Sequence, residues 1–389
     1  MTRRALDVVV LGLGAMGSAT LHHLARRGVR VLGLDRYAPP HTLGSSHGRT
    51  RIIREAYYEH PLYVPFVRRA YELWAELEAE WGAGPLLLRT GGLMIGPADG
   101  TLVRRARRAA EEHAIAHEML DARDVARRFP AYAPPRDQVA LLEHRAGILL
   151  PERCVEAHLA LAQRHGAAVR TNVEVTGWVV RNGAVEVETT DGPVSAGRLV
   201  LAAGPWLPTL LAARGGTPFP LVVERQLSHW FAPRARPADF APGACPIALW
   251  EQASGELFAA FPDLGDGVKF GAHHDGAFTD PDRVDRVVSD GEVAQARAML
   301  AQLMPDAAGV SRENRVCLYT NTPDGHFILD RDPAAPEIVV ASACSGHGFK
   351  FSSAVGELVA DLATDRSPAL DLSPFSARRF TTATTPART

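Results

Sequence analysis

Cysteine is scarce in this 389-residue sequence, and its four cysteines stand far apart along the chain. Cysteines so few and so scattered exclude a disulfide framework or a cysteine-based zinc site, and we predict no metal centre. Neither sign of charge dominates, because 42 basic residues face 44 acidic ones and leave a formal net charge of -2. A chain so balanced lacks the basic patch typical of proteins that bind nucleic acids or acidic membranes.

Long apolar runs are also missing, since no stretch reaches the roughly 20 residues that a membrane-spanning helix needs. The first ten residues superficially resemble a signal peptide, but Asp7 and a glycine-rich motif occupy its would-be apolar region. We therefore expect a cytoplasmic, globular protein without a membrane or nucleic-acid partner. Its length suggests two domains or one two-lobed unit.

Lysine is the rarest charged residue: only Lys269 and Lys350 occur among the 42 basic residues. Positions that need nothing beyond positive charge evidently accept arginine in this chain. A lysine that remains either persists by chance or supplies what a guanidinium does not, a compact ammonium whose pKa shifts readily. Both interpretations stay open at this point.

A glycine-rich turn follows the first apolar stretch. Residues 7–11 read Asp-Val-Val-Val-Leu and predict a strand that is buried on both faces. The next residues read Gly-Leu-Gly-Ala-Met-Gly and lead into an amphipathic helix. In a dinucleotide-binding unit, Gly12, Gly14 and Gly17 permit the tight turn, the approach of a pyrophosphate and the close packing of helix on strand. The N–H groups at the start of the helix then face the phosphates.

Asp35 ends the second predicted strand, residues 29–34, and stands 18 residues after Gly17. An acidic residue at this place accepts a hydrogen bond from the ribose 2′-hydroxyl, which favours an adenosine without a 2′-phosphate. Strand, turn, helix, strand and acid in this order predict a dinucleotide site. The motif does not separate FAD from NAD. A tight turn between buried parallel strands is the alternative that needs no ligand.

Two kinds of segment alternate along the rest of the chain. Helical periodicity at residues 61–82 and 152–165, and buried strands at residues 169–175, 198–204 and 338–343, continue the first, α/β domain. A later stretch instead spreads aromatic residues among prolines and glycines, which is typical of a mainly antiparallel sheet.

We therefore predict a doubly wound, Rossmann-like α/β domain and an α+β substrate domain inserted into it. The first is assigned residues 1–85, 146–219 and 318–389, and the second residues 86–145 and 220–317. Residues 100–128 within the substrate domain are predicted as charged amphipathic helices.

Two loops carry residues with chemical functions. Residues 36–54 are rich in proline, glycine and serine and end with Arg49, Arg51 and Arg54 around two isoleucines. At least one of these guanidinium groups is expected to point inward, where it needs an anion. Residues 344–350 follow the last buried strand and place two glycines before a helix N-terminus.

Four stretches resemble the monomeric sarcosine oxidase and N-methyl-amino-acid oxidase family of FAD enzymes, in the D-amino-acid oxidase superfamily, and the likeness covers essentially the whole chain. They are residues 12–17, residues 44–54 with 56–57, residues 317–327 and residues 345–353. The resemblance implies FAD as cofactor, bound covalently through the thiol of Cys317 to the 8α-methyl group of the flavin. From the residues alone, Cys317 has the character of an ordinary buried cysteine.

Residue roles follow from the same resemblance, position by position. Arg54 and Lys350 match the pair that binds the substrate carboxylate, and Lys269 matches the lysine beside the flavin where oxygen reacts. The residues matched to catalytic or pocket roles are Lys269, Arg51, His347, Tyr319 and His273. The cofactor-binding set comprises Gly12, Gly14, Met16, Gly17, Asp35, Ser45, His47, Arg51, Val173, Ala203, Gly204, Trp206, Cys317, Gly346, Gly348, Phe349 and Lys350.

One position departs from the family pattern. Sarcosine-type members have a pocket tyrosine within Tyr-Gly-Phe-Pro, where residues 259–262 of this chain read Ala-Ala-Phe-Pro, and the loop up to Lys269 is shorter. Ala259 supplies neither the hydrogen bond nor the bulk of a phenol. We therefore expect a substrate bulkier than sarcosine, either a larger N-methyl amino acid or a cyclic one such as proline or pipecolate.

The resemblance implies a monomeric oxidase of secondary amino acids. The substrate binds through its carboxylate with a neutral amine, a hydride equivalent passes from carbon to the flavin, the imine hydrolyses, and oxygen is reduced to hydrogen peroxide. One alternative is a flavin dehydrogenase that passes electrons to a partner, with Lys269 as the discriminating residue. Another is a non-catalytic FAD-binding protein, which would not need the cationic residues of the pocket.

Overall fold

The computed structural model describes residues 6–214 and 217–380. Its helices are α1 (Ala15–Arg26), α2 (Val64–Trp81), α3 (Thr101–Glu112), α4 (Ala122–Arg128), α5 (Pro151–Arg164), α6 (Leu207–Arg214), α7 (Asp290–Leu303) and α8 (Ser352–Ala363). None of the helices in these two ranges combines the length and the apolar character that crossing a bilayer demands.

Strands make up most of the remaining regular structure. In chain order they are β1 (Leu6–Leu11), β2 (Val31–Leu34), β3 (Arg51–Ile53), β4 (Leu87–Arg89), β5 (Gly92–Pro97), β6 (His117–Asp121), β7 (Gln138–Glu143), β8 (Gly147–Leu149), β9 (Ala168–Arg170), β10 (Val175–Arg181), β11 (Ala184–Thr189), β12 (Val194–Leu201), β13 (Val222–Phe231), β14 (Ile247–Glu251), β15 (Leu257–Phe261), β16 (Val268–His273), β17 (Ser311–Asn321), β18 (Ile328–Asp332) and β19 (Ala335–Ser342).

The first sheet has a parallel centre in the order β9-β2-β1-β12-β19, and the antiparallel strands β10, β11 and β18 extend it. Successive side chains of β1 enter different cores, because side chains alternate between the faces of a strand. Val8 and Val10 pack in the core that contains helix α1, whereas Val9 and Leu11 pack with residues of α6 such as Leu207. The predicted doubly wound α/β sheet is confirmed.

The second sheet runs in the order β17-β13-β16-β15-β14-β5-β7-β6, and its pairs are antiparallel except β14 with β5. Its core joins aromatic residues such as Trp250, Phe258 and Phe270 to Leu300 and Leu303 of α7. A small third sheet, β3-β8-β4, contains Arg51 and leads the chain towards Arg54. The mainly antiparallel second sheet agrees with the sequence expectation.

Three details differ from the prediction. Residues 100–128 are not entirely helical, since β6 lies between α3 and α4 and pairs with β7 as an edge strand. Residues 169–175 do not form the single strand that was predicted. Strand β9 stops at Arg170, Asn172 turns the chain with a φ of 57°, and β10 begins at Val175. The strand predicted at residues 198–204 ends at Leu201.

The domain boundaries stay a proposal. The boundary placed at residues 317 and 318 lies inside β17, which pairs with β13 along its whole length in the second sheet. The sequence also predicts a short, loose tail after Phe380, and that segment lies outside the described residues, as do residues 215 and 216.

Helix α8 crosses helix α1 at Gly356. A Cβ atom on Gly356 would stand 2.6 Å from the carbonyl carbon and the Cβ of Ala19. Gly356→Ala should therefore push the two helices apart and lower the stability by about 1–3 kcal/mol, the usual cost of overpacking. Thermal unfolding should show a lower Tm for this variant than for the unchanged protein.

Gly243→Ala is the matched control for this substitution. No described atom beyond its chain neighbours lies within 4 Å of a Cβ built on Gly243. The Tm of this variant should stay unchanged. An unchanged Tm in Gly356→Ala, or an equal loss in the control, would contradict the tight helix crossing.

Candidate active site

One cavity collects most of the predicted site residues, although they come from distant parts of the chain. Those that line it are Gly12, Gly14, Met16, Asp35, Ser45, Arg51, Arg54, Ala203, Gly204, Trp206, Ala259, His273, Tyr319, Gly346, His347, Gly348, Phe349 and Lys350. The predicted residues that lie behind this lining are Gly17, His47, Val173, Lys269 and Cys317. The sequence therefore places most of its candidates around a single space.

The glycine turn lies at one end of the cavity. Gly12 has a φ of 86°, and a Cβ on it would stand 2.5 Å from the carbonyl oxygen of Ala202. A Cβ on Gly17 would stand 1.7 Å from the carbonyl oxygen of Gly12, so the helix packs directly on the turn. Helix α1 starts at this turn, and the Ala15 N–H donates to Ser46 Oγ at 3.1 Å. Gly12 and Gly17 thus show the tight turn and the close packing of helix on strand that a dinucleotide-binding unit has.

Asp35 stands beside this turn at the end of β2. Its carboxylate accepts hydrogen bonds from the N–H groups of Leu13, at 2.7 Å, and Tyr37, at 2.8 Å. Burial raises the pKa of Asp35, while these two backbone donors act in the opposite direction. Val173 does not reach the cavity but donates its N–H to the Asp35 carbonyl at 3.0 Å. Asp35 is therefore oriented by the backbone, with acceptor capacity left for a ribose.

Several buried polar atoms near the cavity have no hydrogen-bond partner among the described residues. They include Ser45 Oγ, Thr320 Oγ1 and both ring nitrogens of His47. Burial lowers the pKa of His47 to about 3, so this imidazole is neutral and offers one donor and one acceptor. Buried polar groups without a hydrogen bond are costly in free energy. A polar cofactor in the cavity would supply partners for the hydroxyls of Ser45 and Thr320, which line it.

Arg51 and Cys317 meet at the wall of the cavity. The Arg51 guanidinium donates from Nη2 to the Ser45 carbonyl at 2.8 Å and approaches Cys317 Sγ at 3.4 Å. Cys317 lies on β17 opposite Gln226, and its sulfur is 3.7 Å from the Ser45 carbonyl oxygen. The thiol is buried, and cavity-lining residues contact it directly.

Lys269 is buried behind Phe261, which lines the cavity. Its ammonium donates to the carbonyl oxygens of Gly48, at 2.8 Å, and Thr50, at 3.1 Å, and to Thr50 Oγ1 at 3.1 Å. Its Nζ lies 4.8 Å from the centre of the Phe261 ring. Burial and the nearby Arg51 lower the pKa of Lys269 well below its usual value. The lysine therefore connects strand β16 to the arginine-rich loop.

Arg54 is the arginine that points inward, and its anion in this structure is Glu59. The guanidinium is 2% exposed, and its Nη2 donates to both carboxylate oxygens of Glu59 at 2.8 and 2.6 Å. Its Nη1 donates to the Ala56 carbonyl at 2.9 Å, and the group lies over the rings of Tyr57 and Tyr58. This buried charge is paired, as burial requires.

Glu59 was not among the residues selected from the sequence. Burial alone would raise the pKa of Glu59, but the neighbouring Arg54, His347 and Lys350 outweigh burial and hold it at about 2. Its position in the sequence is the available signal, because an acidic residue directly after two tyrosines lies in an otherwise aromatic stretch. Glu55, directly after Arg54, is the other candidate that the sequence offers, and the fold pairs it with Arg68 and Arg145 instead.

A chain of hydrogen bonds starts at Lys350. Its ammonium donates to the His347 carbonyl at 2.7 Å and to the Tyr57 hydroxyl at 3.2 Å. His347 Nε2 lies 3.1 Å from the Gly325 carbonyl, which only accepts, so Nε2 carries the proton. His347 Nδ1 therefore accepts from the Tyr57 hydroxyl at 2.8 Å. Burial lowers the pKa of His347 to about 4, and burial together with Arg54 lowers that of Lys350 to about 7.

His273 and Tyr319 form the opposite side of the pocket. His273 Nδ1 is 3.2 Å from the Tyr319 hydroxyl, and burial lowers the pKa of His273 well below its usual value. The Gly346 backbone packs on both rings, since a Cβ there would stand 2.7 Å from His273 and 2.8 Å from Tyr319. Leu249, Ala259 and Phe261 give this part of the cavity an apolar wall.

Comparison with known proteins agrees with this geometry. The family model for FAD dependent oxidoreductases, abbreviated DAO, matches residues 7–362. The chain belongs to this family. It is therefore an FAD-dependent oxidoreductase, and the choice between FAD and NAD that the glycine motif left open falls on FAD.

Individual relatives cover nearly the whole chain. Monomeric sarcosine oxidase of Streptomyces avermitilis is 43% identical over 382 residues, which are 97% of this chain and 98% of that protein. N-methyl-L-tryptophan oxidase of Citrobacter koseri is 34% identical over 379 residues, or 96% and 99% of the two chains. The resemblance found in the sequence is confirmed.

Solved structures share the fold. NikD, an unusual amino acid oxidase essential for nikkomycin biosynthesis, is similar with a TM-score of 0.84 at 26% identity and covers 96% of this chain and 98% of its own. L-proline dehydrogenase from P. horikoshii also has a TM-score of 0.84, at 21% identity, over 97% and 98% of the two chains.

The cavity residues fit FAD. Gly12 and Gly14 would lie against the pyrophosphate, and Asp35 would accept a hydrogen bond from the ribose. The unpartnered Ser45 and Thr320 hydroxyls give the cavity wall hydrogen-bonding groups for a polar ring system.

Lys350 has a lowered pKa, which predicts that anion binding in the cavity depends on pH. Its pKa of about 7 lies between those of its neighbours Glu59, at about 2, and Tyr57, which burial raises well above the usual value. A carboxylate without an amine, such as benzoate, should bind best below pH 7, where Lys350 is charged. Its Kd should rise with pH through 7, approaching tenfold per pH unit because binding requires one proton on the protein.

Absorbance titrations of the FAD-loaded enzyme with benzoate between pH 6 and 9 measure this Kd. Lys350→Met should bind benzoate more weakly and without this pH dependence. The same slope in the variant and in the unchanged enzyme would assign the titration to another group.

Proposed function

We propose that this protein oxidises secondary amino acids, N-methylated or cyclic, and reduces oxygen to hydrogen peroxide. The observation that carries the proposal is the charge balance beside the cavity. Arg54 and protonated Lys350 bring two positive charges, whereas Glu59 brings one negative charge. This trio of side chains leaves a charge of +1, which suits one substrate carboxylate. Arg51 also lines the cavity, but its guanidinium is bonded to the Thr50 and Ser45 carbonyls beside Cys317. The names of the relatives, sarcosine oxidase and N-methyl-L-tryptophan oxidase, agree with such a substrate.

The same charges favour the reactive form of the substrate. Glu59 is already paired with Arg54, and the substrate carboxylate takes up the remaining positive charge, so a substrate ammonium would be buried without an anion of its own. Burial therefore favours the neutral amine, whose lone pair is needed for oxidation. His273 and Tyr319 are uncharged and face the cavity together, which lets them accept or donate a hydrogen bond without adding charge. FAD, when bound, supplies the hydride acceptor, and these residues supply orientation and electrostatics.

The size of the substrate is set by the apolar wall. Ala259 lies on β15 opposite Gly271, so two small residues are paired at this point of the second sheet. With Leu249 and Phe261 beside it, this wall leaves space for a side chain or a ring. We therefore favour substrates larger than sarcosine.

A substrate screen tests the proposed function. Peroxide release should be measured with sarcosine, larger N-methyl amino acids, proline and pipecolate, each beside its decarboxylated amine. Loss of one charge-assisted contact costs about 1.5–3 kcal/mol, so amines should be poorer by at least one order of magnitude in kcat/KM. Equal rates for an amino acid and its amine would contradict the carboxylate site.

Ala259→Tyr tests the size argument in the same screen. Adding the phenol should shift the ratio of kcat/KM values towards sarcosine by about tenfold, because the wall then excludes larger groups. A preference of the unchanged enzyme for sarcosine would show that Ala259 does not set the size limit.

Covalent attachment of FAD through Cys317 is a separate part of the proposal. The thiol is in contact with Arg51 and with the Ser45 carbonyl at the cavity wall. Acid-precipitated protein should be yellow, whereas precipitated Cys317→Ser protein should be colourless because its FAD is released. Cys344→Ser is the matched control, since Cys344 lines the cavity itself and its replacement should leave the colour unchanged. Release of all colour from the unchanged protein would contradict the bond.

Oxygen as the electron acceptor depends on Lys269 in this proposal. Reduction of oxygen creates superoxide, and a positive charge in a shielded site favours its formation. Burial lowers the pKa of Lys269, but the three oxygen acceptors around its Nζ favour the protonated form. Lys269→Met and Lys269→Gln should slow the reaction of the reduced enzyme with oxygen by at least two orders of magnitude in stopped-flow experiments. Anaerobic reduction by substrate should fall much less.

Thr50→Val is the control for the loop that Lys269 holds. It removes one of the three oxygen acceptors of the ammonium but leaves the charge in place, so the oxygen rate should change little. An unchanged oxygen rate in the Lys269 variants would favour a dehydrogenase instead. The monomeric state and the cytoplasmic location remain predictions beside these.

A further inference from the structure

Three potential metal ligands converge on the helical side of the first sheet. His22 comes from α1, Glu80 from the last turn of α2, and His165 directly follows α5. One ligand atom of each residue lies within 4.8 Å of the others. His165 Nε2 and Glu80 Oε1 are hydrogen-bonded at 2.7 Å. None of these three residues lines the FAD cavity.

His22 is the member of the cluster that lacks a partner. The residue is 3% exposed, and its Nε2 is buried without a hydrogen-bond partner in the described part of the chain. Its other ring nitrogen, Nδ1, lies 3.3 Å from Nδ1 of His158. When His22 Nδ1 donates to His158, Nε2 presents an unused lone pair. A buried acceptor without a partner is costly, and it belongs to a residue of the cluster.

We propose that His22, Glu80 and His165 bind a divalent transition metal ion of the zinc class. Two imidazole nitrogens and one carboxylate oxygen are ligands that zinc accepts, with a water molecule completing a tetrahedron. Zinc bonds of about 2.0–2.1 Å place ligand atoms roughly 3.3 Å apart. The His165–Glu80 pair, at 2.7 Å, would therefore open slightly, and His22, within 4.8 Å of both, would move closer. The metal takes the place of the proton that His165 and Glu80 share.

The surroundings meet two further requirements of a metal site. The His158 ring holds the second nitrogen of His22, as outer partners of ligating histidines commonly do. The side chains of His165 and Glu80 are 31% and 30% exposed, so an ion has a path from the solvent. The ion would join the ends of three helices, which differs from the sequence-based expectation that the chain holds no metal centre.

Titration of the full-length, FAD-loaded protein with zinc tests the proposal. After treatment with a chelator, the protein should bind about one equivalent of zinc in calorimetry, in competition with a zinc-binding dye. His165→Ala and Glu80→Gln should each weaken this binding at least tenfold. Both residues lie at the surface, so these variants are expected to fold. Zinc should raise the Tm of the unchanged protein and not that of the variants, because only a folded site binds the ion.

His144→Ala is the matched control. His144 forms an exposed pair with Glu118 at 2.9 Å that resembles the His165–Glu80 pair. Zinc affinity should be unchanged in this variant. Absence of a one-equivalent site, full affinity in His165→Ala, or an equal loss in His144→Ala would each overturn the proposal and leave an ordinary histidine–glutamate ion pair.

Discussion

The buried charge of Arg54 is the constraint on which the site depends. A guanidinium that is taken out of water needs an anion close by, and Glu59 supplies it from the same turn of chain. Lys350 adds a second buried cation within reach of Tyr57 and the His347 carbonyl. Because two cations share one internal anion, the pocket is prepared for a further negative charge.

The three sheets work together to hold these charges. The small third sheet carries β3, from which the chain passes directly to Arg54, while the loop after β19 supplies His347 and Lys350. The second sheet contributes Lys269, whose ammonium anchors the loop just before β3. Each sheet therefore holds one of these segments next to those held by the other two sheets. The cavity forms where the loops of the three sheets meet.

Helix α1 links two distant regions of the molecule. Its first turn starts at the glycines beside the FAD cavity, and one turn before its end His22 joins Glu80 and His165. The same helix packs on α8 through Gly356, and α8 follows the loop of His347 and Lys350. The packing of this helix layer thus connects the glycine turn, the loop of His347 and Lys350, and the histidine cluster.

The local features of the chain were largely determined by its sequence. The strand, glycine turn, helix and Asp35 follow from residue order and periodicity, because backbone sterics and alternating burial act over a few neighbouring residues. The Asn182-Gly183 hairpin turn, with φ values of 53° and 74°, is determined in the same local way. Short motifs also carry the resemblance to a known family. That resemblance, and not the local pattern, predicted the pocket residues and FAD.

The tertiary structure alone decided which groups partner each other. Periodicity did not reveal β6 at the sheet edge, because its strand character depends on pairing with β7. The sequence showed that an inward arginine needs an anion, but only the fold placed Glu59 against Arg54. His22, Glu80 and His165 are separated by long stretches of chain, and helix packing brings them together. Contacts between residues remote in sequence depend on the whole fold, so no local pattern encodes them.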